Sequence, residues 1–403
     1  MAPPASELVF PDGFLWGAAT SAHQVEGGNT ESDWWAWELE PDTPCAEPSR
    51  DACDHYTRYP EDMELLAELG FNCYRFSIEW ARIEPEQGTF SADELDHYRA
   101  MLESCWACGL VPVVTFNHFT LPRWVTSAGG WERARTADLF ARYCERAAAE
   151  LGRLIPYASP INEPNMPALF GYELGLFPPG RAERAAFERA TEVLARAHIA
   201  GREAIRSVSH RTRVGLALSM ADWEALPGGE DNLARLLALR EDVFLEAAAG
   251  DDFIGVQSYT RHRVGPEGFM DPEDGVELTM MGYEFWPDAL EATVRRARQA
   301  VGRKPVFVTE NGIGTEDDER RIEYIRRALT GLHRCIRDGI EVLGYCHWSA
   351  LDNFEWLEGY RPTFGLIAVD RATQRRTPKA SARFLGEIAR NNALVTQHHP
   401  CVP

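Results

Sequence analysis

The chain alternates between short runs of apolar residues and longer segments in which apolar residues recur every three or four positions. Short apolar runs are typical of buried β-strands, and the wider spacing is typical of helices with one buried face. The runs predict strands at 15–19, 73–78, 111–116, 157–161, 214–219, 254–257, 306–309 and 342–347. The wider spacing predicts helices at 61–69, 92–108, 137–151, 183–207, 232–248, 288–301, 319–337 and 378–389.

Eight strands alternating with eight helices predict an α/β fold, a single (β/α)8 TIM barrel over residues 1–403. A doubly wound sheet is the alternative. That fold usually carries a glycine-rich turn after its first strand, and Gly27-Gly28 lacks the required spacing. In a TIM barrel the active site lies at the carboxyl ends of the strands, so the residues there carry the functional prediction.

Two glutamates lie at such strand ends. Glu163 is part of PINEP at 160–164, and Glu310 is part of FVTENG at 307–312. Hydrolysis of a glycosidic bond needs one carboxyl group to protonate the leaving oxygen and a second to attack or to activate water. The pair therefore indicates a glycosidase, provided that the fold brings both residues into one pocket.

The other predicted strand ends carry amides, carboxylates, a cation and aromatic rings. Such groups suit a sugar pocket, because polar side chains bind hydroxyl groups and flat rings pack on the C–H face of a pyranose. The candidate residues are Gln24, Arg75, His118, Asn162, Tyr259, Trp348, Glu355 and Trp356.

Charge and composition narrow the class of partner. The net charge of −21 argues against nucleic acid or an anionic membrane surface as a binding partner, and no run of 18 apolar residues predicts a membrane span.

Neither His23 nor His118 has a second His two positions away, so no metal site is expected, and no cofactor motif is present. Nine scattered cysteines and the lack of a secretory signal in residues 1–10 predict a cytoplasmic location.

Five sequence blocks together resemble glycoside hydrolase family 1, the retaining β-glucosidase and β-glycosidase family, over nearly the full chain. They are FPDGFLWGAATSAHQVEG at 10–27, YRFSIEW at 74–80, NEP at 162–164, TENG at 309–312 and HWSALDNFEW at 347–356. Their order and spacing make the resemblance far more specific than NEP alone. Because the first block begins so early, the resemblance also implies that no removed leader precedes it.

The resemblance implies a retaining exo-acting β-glycosidase that works without a cofactor on small β-glycosides or short oligosaccharides. β-D-Glucosides are the expected substrates, although the same residues serve galactosides and fucosides, and the oligomeric state is left open. It makes Glu163 the acid/base, Glu310 the nucleophile, and Arg75 and Tyr259 the contacts of Glu310. The implied sugar-binding residues are Gln24, His118, Asn162, Trp348, Glu355 and Trp356.

Three alternatives use the same site. A transglycosylase would employ both glutamates but pass the sugar to an acceptor alcohol. A 6-phospho-β-glycosidase is disfavoured because Glu355 would repel phosphate and because Pro362 and Phe364 stand where a Lys and a Tyr are usual. A catalytically silent sugar-binding protein is disfavoured by the intact Glu163 and Glu310.

Several positions depart from the family pattern near the expected leaving-group site, namely Pro160, Phe119-Thr120, Gln257-Ser258 and Tyr283. The segment that follows Gly312 is also short, because the predicted helix begins within a few residues. We hypothesise from this segment an open aglycone site that accepts varied leaving groups.

Overall fold

The computed structural model describes residues 6–396, and a closed barrel of eight parallel strands lies at its centre. Each strand pairs with the next along the chain, and the last pairs with the first. The strands are β1 (Leu15–Ala19), β2 (Cys73–Ser77), β3 (Val111–Asn117), β4 (Tyr157–Ile161), β5 (Arg213–Ser219), β6 (Phe253–Ser258), β7 (Val306–Asn311) and β8 (Val342–Trp348). The predicted TIM barrel is confirmed, and its closure excludes the doubly wound sheet.

Helices surround the barrel and bury their apolar faces on the outer side of the strands. The main ones are α1 (His55–Leu69), α2 (Ala92–Ala107), α3 (Arg135–Leu151), α4 (Arg184–Val208), α6 (Ala289–Val301), α7 (Asp318–Arg337) and α8 (Ala380–Asn391). Between α4 and α6, α5 comprises Glu230–Leu237, the π-helical turn Ala238–Asp242 and Val243–Ala247. Capping is visible at α2, where the Ser91 hydroxyl accepts from the backbone N–H of Glu94.

Two helices differ from their predicted extents. α1 begins at His55, earlier than predicted, and includes Pro60. The buried His55 ring contacts the Asp62 carboxylate at 2.7 Å, and Arg376 donates to the same carboxylate, so tertiary contacts hold the turn that Pro60 weakens. The predicted continuous helix over 232–248 is interrupted by the π-helical turn described above.

The barrel interior is filled below its mouth by a small apolar cluster. Its members include Cys73, Val113, Phe253, Phe307 and Cys346, which come from five different strands and are buried. A barrel of this size leaves room for side chains and no open channel. The interior therefore closes the floor of any pocket at the carboxyl ends of the strands.

The β4–β5 ladder shows the effect of Pro160, one of the departures noted above. The two strands pair at Tyr157 and Ala158, and pairing resumes only at Asn162, which bridges to Ala217. Proline has no backbone N–H to donate to a ladder, which accounts for the gap. The strand nevertheless continues to Ile161, so Asn162 and Glu163 still follow directly at its carboxyl end.

Loops at the mouth add structure beyond the barrel. Asp222–Ala225, after β5, pairs with Arg261–Gly265, which follows β6 and pairs in turn with Gly268–Met270. This small sheet stands beside the carboxyl ends of β5 and β6. In the described part of the chain, no helix is both long and apolar enough to cross a membrane.

Candidate active site

A cavity of about 310 Å³ opens at the carboxyl ends of the barrel strands, and it brings together most of the predicted site residues. Arg75, Gln24 and Asn162 lie just behind its wall, and each hydrogen-bonds to a lining residue. The predicted residues that line it are His118, Glu163, Tyr259, Glu310, Trp348, Glu355 and Trp356.

Glu163 reaches the cavity through a sharp turn of the backbone. Its N–H donates to the Ala217 carbonyl oxygen at 2.8 Å, which ties the end of β4 to β5. Its φ of +41° lies in the left-handed region, which non-glycine residues seldom adopt and which is common at functional sites. The Glu163 side chain is buried, and its Oε1 makes no hydrogen bond to residues 6–396. No donor among the described residues therefore stabilises a charge on this oxygen.

Glu310 is held far more tightly, at the end of β7. Its Oε1 accepts from Arg75 Nη1 at 2.5 Å and from Gln257 Nε2 at 2.8 Å, and its Oε2 accepts from the Tyr259 hydroxyl at 2.5 Å. The Arg75 side chain is fully buried, so the pair forms out of contact with solvent. Three donors on one carboxylate favour its charged form.

The surroundings of the two carboxyl groups affect their pKa values differently. Burial raises the pKa of Glu163 well above its usual range, and the negative charge of Glu310 raises it further. Burial also raises the pKa of Glu310, but Arg75, Tyr259 and Gln257 all act to lower it. When two such groups share one proton, the group with the weaker cationic and hydrogen-bond support keeps it. Glu163 is therefore the protonated partner and Glu310 the ionised one.

Asn162 connects the two halves of the site. Its Oδ1 accepts from Arg75 Nη2 at 2.5 Å and from Gln257 Nε2 at 2.9 Å, so its amide nitrogen faces His118 Nε2 at 3.2 Å. The amide must donate, so Nε2 of His118 accepts and Nδ1 carries the proton. Burial, with the charge of Arg75, lowers the pKa of His118 well below its usual range, which keeps the ring neutral.

A second set of contacts forms the far end of the cavity. Gln24 Nε2 donates to the Phe354 carbonyl at 2.8 Å and to Glu355 Oε2 at 3.4 Å. The ring of His118 stacks near that of Trp348 at 5.7 Å and that of Trp356 at 6.2 Å. Burial, and then the charge of Glu310, raises the pKa of Glu355 to about 8. Polar acceptors and flat rings thus meet in one place.

The TENG motif at 309–312 ends in a glycine because the backbone of Gly312 lies close to the end of β8. A Cβ atom at this position would overlap the carbonyl oxygen of Trp348. Only glycine permits this close approach of the chain after β7 to the end of β8, which carries the wall of the cavity.

Gln257 is a site residue that sequence reasoning noted only as a departure from the family pattern. It lies near the end of β6 and donates to both Asn162 and Glu310. Its position near the end of a predicted strand was a usable signal, but an amide in an apolar run does not reveal its partners.

Within residues 6–396, no group of three or more His, Cys, Asp or Glu side chains is placed to hold a metal ion.

We expect Gln257→Leu to lower kcat/KM about tenfold, because a hydrogen bond to a charged group contributes about 1.5–3 kcal/mol. Loss of a donor that favours the ionised form raises the pKa of Glu310, so the acid limb of the pH–rate profile moves to higher pH. The measurement is kcat/KM against pH. Ser258→Ala, at the next position, is the control because the Ser258 hydroxyl makes no hydrogen bond to the described residues. An unmoved acid limb would contradict the assigned role of Gln257.

Comparison with known proteins agrees with this geometry. The family model described as "Glycosyl hydrolase family 1" matches residues 6–249 and 256–394. Beta-glucosidase A of Thermotoga maritima is 29% identical, with 96% of this chain and 98% of that protein covered. Thermostable beta-glucosidase B of Thermobispora bispora is 32% identical, with 97% and 92% covered.

Solved structures agree as well. The β-glycosidase BGL167 is 48% identical, with a TM-score of 0.90 over 97% of this chain and 100% of that one. The β-glycosidase of Pyrococcus horikoshii is 32% identical, with a TM-score of 0.91 and 97% of each chain covered. A family match over nearly all of the described residues, joined to this fold, leaves one conclusion: the chain belongs to glycosyl hydrolase family 1 and is a glycoside hydrolase.

Proposed function

We propose that this protein is a retaining, exo-acting β-glycosidase that removes terminal β-D-glucosyl residues from the non-reducing end of small β-glycosides. The observation that carries this is the contrast between the two glutamates: three donors hold Glu310, whereas one oxygen of Glu163 has no partner among the described residues. A similar protein from Thermotoga maritima, 28% identical, is named a β-glucosidase and was solved with glucoimidazole. This supports glucosides as substrates.

The first step breaks the glycosidic bond. Glu163 gives its proton to the glycosidic oxygen while the Glu310 carboxylate attacks the anomeric carbon. The bond between that carbon and the oxygen breaks, and the aglycone leaves as a neutral alcohol. An ester then joins the sugar to Glu310. Arg75 and Tyr259 hold the attacking carboxylate in place, since both contact its oxygens directly.

The second step consumes water. Glu163, now a carboxylate, takes a proton from a water molecule, whose oxygen attacks the anomeric carbon and displaces Glu310. Two displacements at one carbon return the original β configuration. A transglycosylase would differ only in using an acceptor alcohol at this step, and both reactions need the same two side chains.

The sugar would be bound by the polar and aromatic end of the cavity. Glu355 offers carboxyl oxygens beside Gln24, and the protonated Nδ1 of His118 has no partner among residues 6–396. Trp348 supplies a flat face for the pyranose ring. A buried aromatic cluster behind this end, which includes Trp34, Phe354 and Trp356, would block a longer chain and so favour exo-action.

A phosphorylated sugar fits this end poorly. Glu355 and the apolar ring of Phe364 both line the cavity, and among the described residues the lining contains no Arg or Lys. A phosphate group would therefore face a carboxyl group without a cation to bind it. The observation favours an unmodified sugar over a 6-phosphate.

The test combines a set of 4-nitrophenyl glycosides with a trapping reagent. We expect cleavage of the β-glucoside and not of the α-glucoside, with β-glucose as the first product by NMR. A 2-deoxy-2-fluoro-β-glucoside with a good leaving group should inactivate the enzyme and add one fluoroglucosyl group to the peptide that contains Glu310. A label on another residue, or α-glucose as the first product, would overturn the proposal. Unfolded protein, which should remain unlabelled, is the control.

A further inference from the structure

A second cavity of about 240 Å³ adjoins the first. The two share a wall that is made by Met166, Phe170, Ser219, Tyr259 and Tyr283. Tyr259 is also the residue that donates to Glu310. A group attached to the anomeric carbon therefore has a recess beside it, and apart from Tyr259 the mechanism above uses none of the residues that line it.

Three aromatic rings from the small sheet at the barrel mouth line this recess. The ring centres of Trp223 and His262 are 5.0 Å apart, those of His262 and Phe269 are 4.9 Å apart, and those of Trp223 and Phe269 are 6.4 Å apart. Phe269 is 53% exposed, so its ring is open to contact with a ligand in the recess. Burial lowers the pKa of His262 to about 4, so the ring is neutral at neutral pH.

Arg240 is the cation in the lining, and its guanidinium group forms one long ion pair, with Glu173, which leaves most of its N–H donors unused. The nearest carboxylate, Glu173, lies 3.5 Å away and also binds Arg184 at 3.0 Å. Arg296 on α6, by contrast, donates to two carboxylates at 2.8 Å. A half-buried arginine with unused donors is notable in a protein whose net charge is −21.

Three of the other polar groups in the recess are already occupied, whereas Asn165 Oδ1 is buried without a partner among the described residues. Trp223 Nε1 donates to Glu241 at 2.6 Å, the Thr260 hydroxyl donates to the Glu284 carbonyl at 2.9 Å, and Asn165 Nδ2 donates to the Ser219 carbonyl at 2.8 Å. A second sugar unit would need several free donors and acceptors for its hydroxyl groups. An aromatic ring with a single polar substituent fits this lining better.

We propose that this second cavity binds the aglycone of an aryl β-glycoside that bears a carboxylate on its ring or on a short substituent of the ring. The aryl group packs against Trp223, His262 and Phe269, and the carboxylate accepts hydrogen bonds from Arg240. One guanidinium that already faces the Glu173 carboxylate matches a single negative charge and not the double charge of a phosphate. The assignment rests on the proposed β-glycosidase activity. It replaces the hypothesis of an aglycone site that accepts varied leaving groups with a site that prefers aryl groups bearing a carboxylate.

The test compares two substrates on three enzymes. The substrates are the β-D-glucoside of 4-hydroxycinnamate and the matching carboxamide; the enzymes are the wild type, Arg240→Gln and Arg235→Gln. Arg235 lies on the same helix and bonds only within it, to Asp231 and Asn232, so its variant is the matched control. The ratio of kcat/KM for acid over amide should fall about tenfold in Arg240→Gln, the effect of one charge-assisted hydrogen bond, and stay unchanged in Arg235→Gln.

Comparing ratios between enzymes removes the different reactivities of the two leaving groups. An equal ratio in the wild type and Arg240→Gln, with the amide still cleaved, overturns the assignment of the second cavity and leaves the proposed activity standing. Failure to cleave either glucoside or any nitrophenyl β-glycoside overturns the activity itself. Calorimetry of free 4-hydroxycinnamate then tests the cavity alone. The Kd should rise about tenfold in Arg240→Gln, and an unchanged Kd overturns the assignment.

Discussion

Glu310→Gln should lower kcat at least about 10⁴-fold on every β-glucoside, because removal of a nucleophile eliminates the covalent route. The amide has nearly the shape of the carboxylate, so the variant should remain folded. Circular dichroism and kcat for 4-nitrophenyl β-glucoside are the measurements. Glu341→Gln is the control, since this exposed residue precedes β8 away from the cavity.

Glu310→Ala adds a test of stereochemistry. The small side chain leaves space beside the anomeric carbon, and azide at high concentration should restore turnover of an activated β-glucoside. A single displacement by azide inverts the configuration, so the product should be the α-glucosyl azide. This variant leaves Arg75 without its anionic partner, and breaking a buried ion pair costs about 3–5 kcal/mol, so its melting temperature must be checked. Wild-type kcat in Glu310→Gln, or a β-azide product, would refute the nucleophile assignment.

Glu163→Gln should show a loss that depends on the leaving group. For alkyl glucosides, which need a proton on the departing oxygen, kcat/KM should fall about 10²–10⁴-fold. For 2,4-dinitrophenyl β-glucoside, whose phenol leaves without help, kcat/KM should remain close to the wild-type value. The measurement is a plot of log kcat/KM against leaving-group pKa for both enzymes, and the variant should have the steeper slope.

The pH profile gives an independent measurement on the same variant. Wild-type activity requires Glu163 protonated and Glu310 ionised, so the rate rises as Glu310 loses its proton and falls as pH rises through the pKa of Glu163. Burial raises both pKa values, which moves the optimum above the ordinary range of carboxyl groups. Glutamine at 163 cannot titrate, so the alkaline limb should disappear. A persistent alkaline limb would assign it to Glu355 instead, whose pKa is raised to about 8.

Much of the fold followed from the sequence because its signals are local. All eight barrel strands lie within about two residues of their predicted bounds, since apolar runs mark segments covered on both faces. The start of α1 did not follow, because a buried contact between His55 and Asp62 offsets the effect of Pro60. The π-helical turn Ala238–Asp242 also left no signal in the helical spacing.

The location of the candidate site residues could be predicted because parallel strands in a barrel end on one face. Sequence placed Glu163 and Glu310 at the ends of strands, and the structure places both in one cavity. The family resemblance implied that Arg75 and Tyr259 contact Glu310, but local sequence patterns alone could not predict the unequal ionisation of the two glutamates. It depends on Arg75, Gln257 and Tyr259, which lie on other strands and loops.

The sequence by itself thus determined the barrel, the family and the positions of the two glutamates, because periodicity and short motifs are properties of neighbouring residues. Only the tertiary structure showed that Gln257 donates to Glu310 and to Asn162, and that a recess containing Arg240 adjoins the site. Hydrogen-bond partners, burial and pKa depend on atoms brought together from distant parts of the chain, and no local pattern records them.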